Sequence, residues 1–444
     1  MWNCLTTPTL ILFSSFSLRS LFGFPRKVVR PSKRTFAAMV DNKLDTDGAD
    51  TPVATKQHRY NTRSSSSSQK RRTTLQATKT AREAQSSSDG VALAHGDVIL
   101  PWIGYGTYKL DKANARKLTV QAIQQGYRCI DTAFIYGGET TETQVGLAIH
   151  DALQQGILPD RSDLVVQTKH WRKYHGYEPT LKCLDLSLER LQLDYIDVWL
   201  MHWPGPPYKT MNRRKDEMAK HGPWHYAAHS ASEMTTLRSE TWRAMESAVR
   251  EGKVKAIGVS NFSIAHLERL KQTATIWPPA VNQIECHPLY RQTDLLDYCA
   301  KEGIVVQAYA SLGGQDAGKS FWRKLYPHEK GQEHPVTKLW NTPPVVALAE
   351  KVKKTPAQVL LRWALEKNLT LVPKSSSLER MVENVNIFDF ALTSDQIRNL
   401  EDQLQQAIVR AAAATETTES NSVSIDDMAR LCWRNDPLRM LDFD

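Results

Sequence analysis

The chain has 444 residues, of which 41% are hydrophobic and 24% charged, a balance typical of a globular protein with one large domain or two ordinary ones. The net charge of +9 would suit a nucleic-acid binder only if it lay on the folded part. Residues 1–92 hold 15 Lys and Arg against 6 Asp and Glu, which leaves residues 93–444 formally neutral. The charge pattern therefore argues against nucleic acid as a partner of the core.

The first forty residues form a basic leader without a single acidic side chain. This composition predicts a transit peptide and import into a mitochondrion or plastid. The alternative is a dispensable leader with Met39 as the start, which would leave the protein cytoplasmic. The apolar run at residues 10–13 is far too short to span a bilayer, so we expect no membrane segment.

Residues 41–90 read as a disordered, Ser-rich basic linker with five consecutive serines from Ser64 to Ser68. This stretch has too few apolar residues to fold alone. The six cysteines of the chain include no pair at the two-residue spacing of a zinc ribbon or a redox motif. We therefore expect reduced thiols and no metal site.

From residue 91 onward, short apolar segments alternate with segments of helical period. The stretch Val91–Ile103, with Gly96 and Asp97 at its middle, predicts a hairpin that closes one end of a barrel. Eight candidate strands follow: Trp102–Thr107, Cys129–Ala133, Leu164–Lys169, Tyr195–His202, Ala256–Ser260, Ala280–Glu285, Ile304–Tyr309 and Leu369–Pro373. The amphipathic segments between them include Ala113–Gln125, Leu181–Leu191, Thr241–Glu251, Ile264–Gln272, Thr293–Lys301 and Pro356–Lys367.

Eight strand–helix units over residues 91–408 predict an α/β fold, the closed (β/α)8 TIM barrel. Two smaller α/β domains are the alternative, but no linker composition occurs within residues 93–400. Two long connections, 204–240 and 313–344, follow strand ends and are predicted to wall a pocket at the barrel rim. They could equally be variable surface. Residues 409–444 are expected to form a mobile C-terminal tail that docks near that pocket.

Four ionisable side chains are predicted to meet at this rim. Asp131, Lys169 and His202 fall at the ends of three neighbouring strands, and Tyr136 lies in the turn after the first of them. Any one alone would more often be a structural ion pair or a buried histidine. Their convergence instead favours a catalytic site.

These residue types suit the reduction of a carbonyl group. Hydride addition places negative charge on the carbonyl oxygen, which a proton donor must meet. The ammonium of Lys169 is expected to lower the pKa of Tyr136 and so make it a better acid. Asp131 would keep that lysine charged, and His202 would donate a hydrogen bond that orients the substrate.

Residues 91–400 resemble the aldo-keto reductase superfamily. The resemblance rests on long strings: Gly104–Thr107, Gly126–Ala133, Asp194–Pro204, Gly258–Phe262 and Val281–Pro288. It implies that Tyr136 is the general acid, that Lys169 and Asp131 tune it, and that His202 orients the carbonyl.

The resemblance also implies NADPH as cofactor, although the chain has no complete Gly-x-Gly-x-x-Gly motif. In the family the dinucleotide lies extended across the barrel rim. The residues implied for the nicotinamide half are Ser260, Asn261, Gln283 and Tyr309, the last by stacking, with Thr107 beside them. Those implied for the pyrophosphate are Ser311, Leu312 and Gly313, and those for the adenosine are Lys374, Ser375, Arg380, Glu383 and Asn384.

The basic cluster of Lys374, Ser375 and Arg380 matches a 2′-phosphate in charge and hydrogen bonding. By itself it could also be a solvated helix start. Tyr108 and Trp203 are implied as walls of the substrate pocket, which suits an aldehyde or ketone with an apolar body.

Two departures from the family pattern bear on the site. The turn Tyr136–Gly146 is about three residues longer than usual, which leaves Glu142 as the candidate for the family's glutamate position. The tail beyond residue 408 is also unlike the usual one.

The leading hypothesis is an NADPH-dependent oxidoreductase that acts as a monomer on a small-molecule carbonyl, an aldehyde first, with ketones and aldoses as further candidates. The rival is a nicotinamide-binding regulatory or channel-associated subunit that docks through its basic arm. A barrel hydrolase or isomerase would leave the Lys374 cluster without a role.

Overall fold

The computed structural model describes residues 75–206, 231–314, 318–327, 335–416 and 429–432. The predicted leader, most of the linker, and parts of both long rim connections and of the tail lie outside these ranges. Eleven strands occur within them: β1 (Gln76–Ala77), β2 (Asp89–Ala92), β3 (Ile99–Pro101), β4 (Tyr105–Gly106), β5 (Cys129–Asp131), β6 (Val165–His170), β7 (Ile196–Met201), β8 (Val254–Ser260), β9 (Val281–Glu285), β10 (Val305–Tyr309) and β11 (Thr370–Leu371).

Strands β4 to β11 form one parallel sheet in which each strand pairs with its neighbours in chain order. The two ends of this sheet meet. The backbone N–H of Gly104 donates to the carbonyl of Leu371 (2.7 Å), and that of Gly106 donates to the carbonyl of Pro373 (3.0 Å). The sheet is therefore closed, and the predicted α/β barrel is confirmed. The first and last strands are shorter than predicted; the last ends before Pro373, which has no N–H to donate to a ladder.

Helices connect the strands around the barrel. Their bounds are α1 (Ala115–Gln124), α2 (Thr141–Gln154), α3 (Tyr177–Leu191), α4 (Ala231–Arg250), α5 (Ile264–Lys271), α6 (Thr293–Glu302), α7 (Lys319–Leu325), α8 (Pro343–Val352), α9 (Pro356–Glu366), α10 (Leu378–Val385) and α11 (Ser394–Glu416). Short 3-10 turns occur at Arg161–Asp163, Arg172–Tyr174 and Leu339–Asn341. No helix in the described ranges is long and apolar enough to cross a membrane.

Most residues of the barrel strands are buried, as all six residues of β7 illustrate. Burial on both faces is the reason these segments read as continuous apolar runs in the sequence. One apolar cluster fills the space between the sheet and the helices. A second one plugs the barrel interior at its N-terminal end, where Leu93, Val98 and Leu100 meet residues of five barrel strands.

Residues 75–103 cover that N-terminal end. Strand β1 pairs in parallel with β2, which pairs antiparallel with β3. The turn between β2 and β3 contains Gly96 at φ 84°, where a Cβ would lie 2.1 Å from the carbonyl oxygen of Lys255, so only glycine fits against the barrel.

The expected disorder of residues 41–90 is wrong for the segment from residue 75 onward. The indole N–H of Trp102 donates to Thr78 Oγ1 (2.8 Å), and the backbone N–H of the fully buried Ala81 donates to Asn368 Oδ1 (3.1 Å). These hydrogen bonds to residues distant in the chain stabilise a segment that has few apolar residues of its own.

The C-terminal tail also differs from expectation. Helix α11 continues to residue 416 with Ala411 and Ala412 buried, so the expected mobile stretch does not begin at Arg410. Alanine is the best helix former, and its small side chain packs closely. Residues 429–432 do dock, because the backbone N–H groups of Leu431 and Cys432 donate to Glu285 Oε1 (2.6 and 3.0 Å) at the end of β9. The rest of the tail lies outside the described residues.

Candidate active site

The four side chains expected at the rim lie together. Asp131 ends β5, Lys169 lies near the end of β6, His202 directly follows β7, and Tyr136 is in the turn after β5. The ammonium of Lys169 donates to both carboxylate oxygens of Asp131 (2.7 and 2.9 Å) and to the hydroxyl of Tyr136 (3.2 Å). A fourth contact, to the carbonyl of Thr132 (2.8 Å), fixes the ammonium in place.

His202 lies beside Tyr136. Its ring lies edge-on to that of Tyr136, with 6.0 Å between ring centroids. Burial, followed by the charges of Lys169 and Arg172, lowers the pKa of His202 well below its ordinary value. The imidazole is therefore neutral at physiological pH, with one N–H to donate.

The expected lowering of the Tyr136 pKa is wrong for this site. Burial, followed by the charge of Asp131 and the nearby Tyr108, raises the pKa of Tyr136 well above its ordinary value. Lys169 cannot reverse this, because its charge is already balanced by Asp131, and burial lowers its own pKa. Tyr136 thus keeps its proton and is a hydrogen-bond donor throughout the physiological range.

A buried layer of glutamine side chains lies against Asp131. The amide nitrogens of Gln167 and Gln283 donate to Asp131 Oδ1 (2.6 and 2.9 Å), and each also donates to Gln307 Oε1 (2.5 and 2.6 Å). Sequence reasoning missed Gln167 and Gln307. Their signal was a glutamine at the same place in two strands, directly after Val-Val in each.

The residues implied for the nicotinamide form one hydrogen-bonded row along the rim. Tyr309 donates its hydroxyl hydrogen to Asn261 Oδ1 (2.7 Å), and Asn261 Nδ2 donates to the carbonyl of His202 (2.9 Å) and to Ser260 Oγ (3.1 Å). Ser260 in turn donates to the carbonyl of Gln283 (2.8 Å). This row connects the residues implied for the cofactor with His202.

Thr107 lies beside this row but is fully buried. Its hydroxyl donates to the carbonyl of Asp131 (2.9 Å), so it fixes the end of β5.

The three residues implied for the pyrophosphate follow β10. Ser311 is buried and Leu312 is half-buried, while Gly313 has φ 95° and a virtual Cβ only 2.5 Å from Leu339 Cβ. Glycine is therefore required where this turn passes Leu339.

The basic cluster lies after β11. Lys374 Nζ donates to Ser376 Oγ (2.8 Å), and the hydroxyl of Ser375 donates to the carbonyl of Ser377 (3.0 Å). Ser377 caps α10 through the backbone N–H of Arg380 (3.4 Å). Burial lowers the pKa of Lys374, and among the described residues no carboxylate pairs with Lys374 or Arg380. Two cations without a carboxylate partner suit an anionic ligand.

The two residues implied for the adenine lie one turn further along α10. Asn384 is buried, whereas Glu383 is half-buried and accepts a hydrogen bond from Thr355 Oγ1 (2.5 Å). Both therefore lie next to the basic cluster.

Aromatic rings lie beside Tyr136 and His202. Tyr108 is 40% exposed, and its ring centroid lies 5.0 Å from that of Tyr136. Trp203 is buried and stacks on His202. The ring centroid of Trp171 lies 6.0 Å from that of His202. Sequence reasoning missed Trp171, although its place two residues after Lys169 puts it at the same rim.

The closed barrel and the side chains at its rim are typical of oxidoreductases that use a nicotinamide cofactor. Comparison with known proteins identifies the family. The model of the aldo/keto reductase family matches residues 102–405. Glyoxal reductase of Bacillus subtilis is 37% identical over 308 residues, which are 69% of this chain and 90% of that protein. Aldo-keto reductase family 1 member A1 of Rattus norvegicus is 35% identical over 70% of this chain and 87% of that protein.

A solved structure agrees. An aldo-keto reductase of Bombyx mori, determined in complex with NADP, superposes with a TM-score of 0.57 at 30% identity and covers 70% of this chain and 92% of that one. The chain belongs to the aldo/keto reductase family.

Proposed function

We propose that the protein reduces aldehydes to alcohols with NADPH, with ketones and aldoses as further candidate substrates. One observation carries the proposal: the Tyr136 hydroxyl is hydrogen-bonded to Lys169, which is paired with Asp131, and the Tyr136 ring lies edge-on to that of His202. The relatives support it, since one is a glyoxal reductase and another was solved with NADP.

The residues of the chain fit the cofactor. Tyr309 is half-buried, so part of its ring is accessible for stacking, and it is bonded to Asn261 at the rim. Lys374 and Arg380 provide positive charge for the 2′-phosphate that distinguishes NADPH from NADH. When bound, the reduced nicotinamide supplies the hydride.

The residues around the carbonyl then have separate tasks. Tyr136 donates its proton to the carbonyl oxygen as negative charge develops there, a contribution of about 10²- to 10⁴-fold in rate. Lys169 stabilises the phenolate that is left, because its ammonium lies 3.2 Å from the phenol oxygen. His202 orients the carbonyl by a hydrogen bond from its neutral ring.

The decisive experiment follows NADPH absorbance with the full chain and a panel of dicarbonyl, aromatic, aliphatic and sugar aldehydes. Tyr136→Phe is expected to abolish turnover while NADPH binding, measured by its fluorescence, is retained. Tyr108→Phe is the matched control, since it removes a neighbouring phenol oxygen and keeps the ring. Tight NADPH binding without turnover of any carbonyl would refute the reductase and favour a regulatory subunit.

The basic leader supports import into a mitochondrion or plastid as its place of action. A fluorescent protein fused after residue 74 tests this location. Diffuse cytoplasmic fluorescence would contradict it.

A further inference from the structure

The turn that carries Tyr136 has an unusual backbone. Gly137, Gly138 and Glu139 are three consecutive residues in the left-handed region, with φ of 59°, 64° and 72°. Glycine adopts this conformation readily, but a residue with a Cβ does so at a cost. Contacts outside the turn must therefore hold Glu139.

Those contacts are two ion pairs. One carboxylate oxygen of Glu139 lies 3.0 Å from Lys173 Nζ, and the other lies 2.9 Å from Arg190 Nη2. The Glu139 side chain is 32% exposed, whereas those of Lys173 and Arg190 are 15% and 20% exposed. Burial alone would raise the pKa of Glu139, but the hydrogen bonds and charges of these two cations lower it overall. The carboxylate thus ties the turn to the segment after β6 and to the last turn of α3.

Arg190 also contacts residues that precede and follow Tyr136 in the chain. The guanidinium of Arg190 lies over the ring of Phe134, 3.9 Å from its centroid, just before the turn. Arg190 also lies 3.6 Å from the buried carboxylate of Glu142, which accepts a hydrogen bond from Thr168 Oγ1 (2.7 Å). Thr168 directly precedes Lys169 in β6. A displacement of the turn would therefore be resisted from two neighbouring elements.

We propose that Glu139 is a positioning residue for the proton donor: its bridge to Lys173 and Arg190 holds the lengthened turn so that the Tyr136 hydroxyl stays within reach of Lys169. This inference rests on the proposed function. Glu139 itself contacts neither Lys169 nor His202 through any interaction in the described site, so it acts only through the turn.

The test compares Glu139→Gln with the unaltered full chain. Glutamine keeps the size of the side chain but removes the charge that bridges two cations. Because a displacement of about 1 Å can cost up to about 10²-fold in rate, we expect kcat to fall about tenfold with NADPH affinity unchanged. The solvent deuterium isotope effect on kcat should rise, since proton transfer from a displaced phenol becomes slower. A purely structural role would lower the melting temperature without moving this isotope effect.

Two further variants make the test specific. Asp151→Asn is the control: Asp151 lies on α2, the helix that follows the turn, and the change breaks its two-bond ion pair with Arg116 of α1, away from the turn, so kcat should be unchanged. Lys173→Met should lower kcat in the same direction, and its combination with Glu139→Gln should cost less than the sum of both. An unchanged kcat and isotope effect in Glu139→Gln would overturn the proposal.

Hydrogen exchange separates this proposal from the proposed function. Amide exchange in a peptide spanning residues 134–144 should become faster in Glu139→Gln, whether or not the protein is a reductase. If the unaltered protein shows no turnover, the proposed reductase function is refuted, and hydrogen exchange alone tests whether Glu139 holds the turn. Unchanged exchange in Glu139→Gln would then refute that role of Glu139.

Discussion

The two ends of the barrel differ in the kinds of side chain that they bury. At the N-terminal end, Leu93, Val98 and Leu100 form an apolar plug, and the segment from residue 75 is bonded across it. At the C-terminal rim, Asp131 and Lys169 are buried as a charged pair beside a neutral histidine. Apolar burial stabilises a fold, whereas a buried charge costs desolvation free energy that pairing only partly offsets. One end therefore stabilises the barrel, and the other end carries the chemistry.

The largest expected effect is a loss of both activity and stability when the charged pair at the rim is broken. Lys169→Met removes the partner of a fully buried carboxylate, so we expect a loss of about 10³-fold in kcat and of about 3 kcal/mol in the free energy of unfolding. The double variant Lys169→Met/Asp131→Asn should recover most of the stability and none of the activity. Urea unfolding and NADPH oxidation measure the two effects. Full stability in Lys169→Met would mean that the pair is not needed for folding.

The plug should show the opposite behaviour. Leu100 is fully buried, so Leu100→Ala is expected to lower the free energy of unfolding by about 3 kcal/mol. Activity of the folded fraction should remain within about twofold of normal, because the cavity lies at the far end from Tyr136. A large fall in kcat at permissive temperature would show that the two ends are coupled.

Discrimination between cofactors is a smaller effect confined to the rim. A charge-assisted hydrogen bond is worth about 1.5 kcal/mol or more, so Lys374→Ala should weaken NADPH about tenfold. Arg380→Ala should do less, since Arg380 is exposed. NADH affinity should not change, and Lys354→Ala is the control because Lys354 pairs with Asp389 instead. Equal losses of affinity for NADPH and NADH would show that the basic cluster does not bind the 2′-phosphate.

The last expected effect concerns pH and is absent at neutral pH. Burial lowers the pKa of His170, next to Lys169, to about 4. The unfolded chain binds a proton at this histidine below pH about 6.5, while the folded chain does not until pH about 4. Its contribution to stability is therefore complete above pH 6.5 and is lost as the pH falls between these values. His170→Leu should flatten the fall by about 1.4 kcal/mol per pH unit, as measured by urea unfolding across this pH range.

Much of the fold and site could be predicted because the signals are local. The barrel strands are short, mostly apolar segments of two to seven residues, and Asp131, Lys169 and His202 stand at or next to the ends of three of them. Segment 75–90 could not be predicted, since its order depends on partners such as Asn368, 287 positions away from Ala81. The direction of the Tyr136 pKa shift was also inaccessible, because it depends on burial. The Glu139 ion pairs join residues 34 and 51 positions apart, beyond any local pattern.

The point of attachment of the N-terminal arm has a practical consequence. Ser87 donates a hydrogen bond to the carbonyl of Gly126 (2.8 Å), the residue three positions before β5, so the described chain enters at the plugged end. Leu75, the first described residue, packs against the apolar plug, at the end of the barrel opposite Tyr136. A solid support, an electrode or a partner enzyme in a two-step cascade that is linked at this residue would leave the rim with Tyr136 facing the bulk solution.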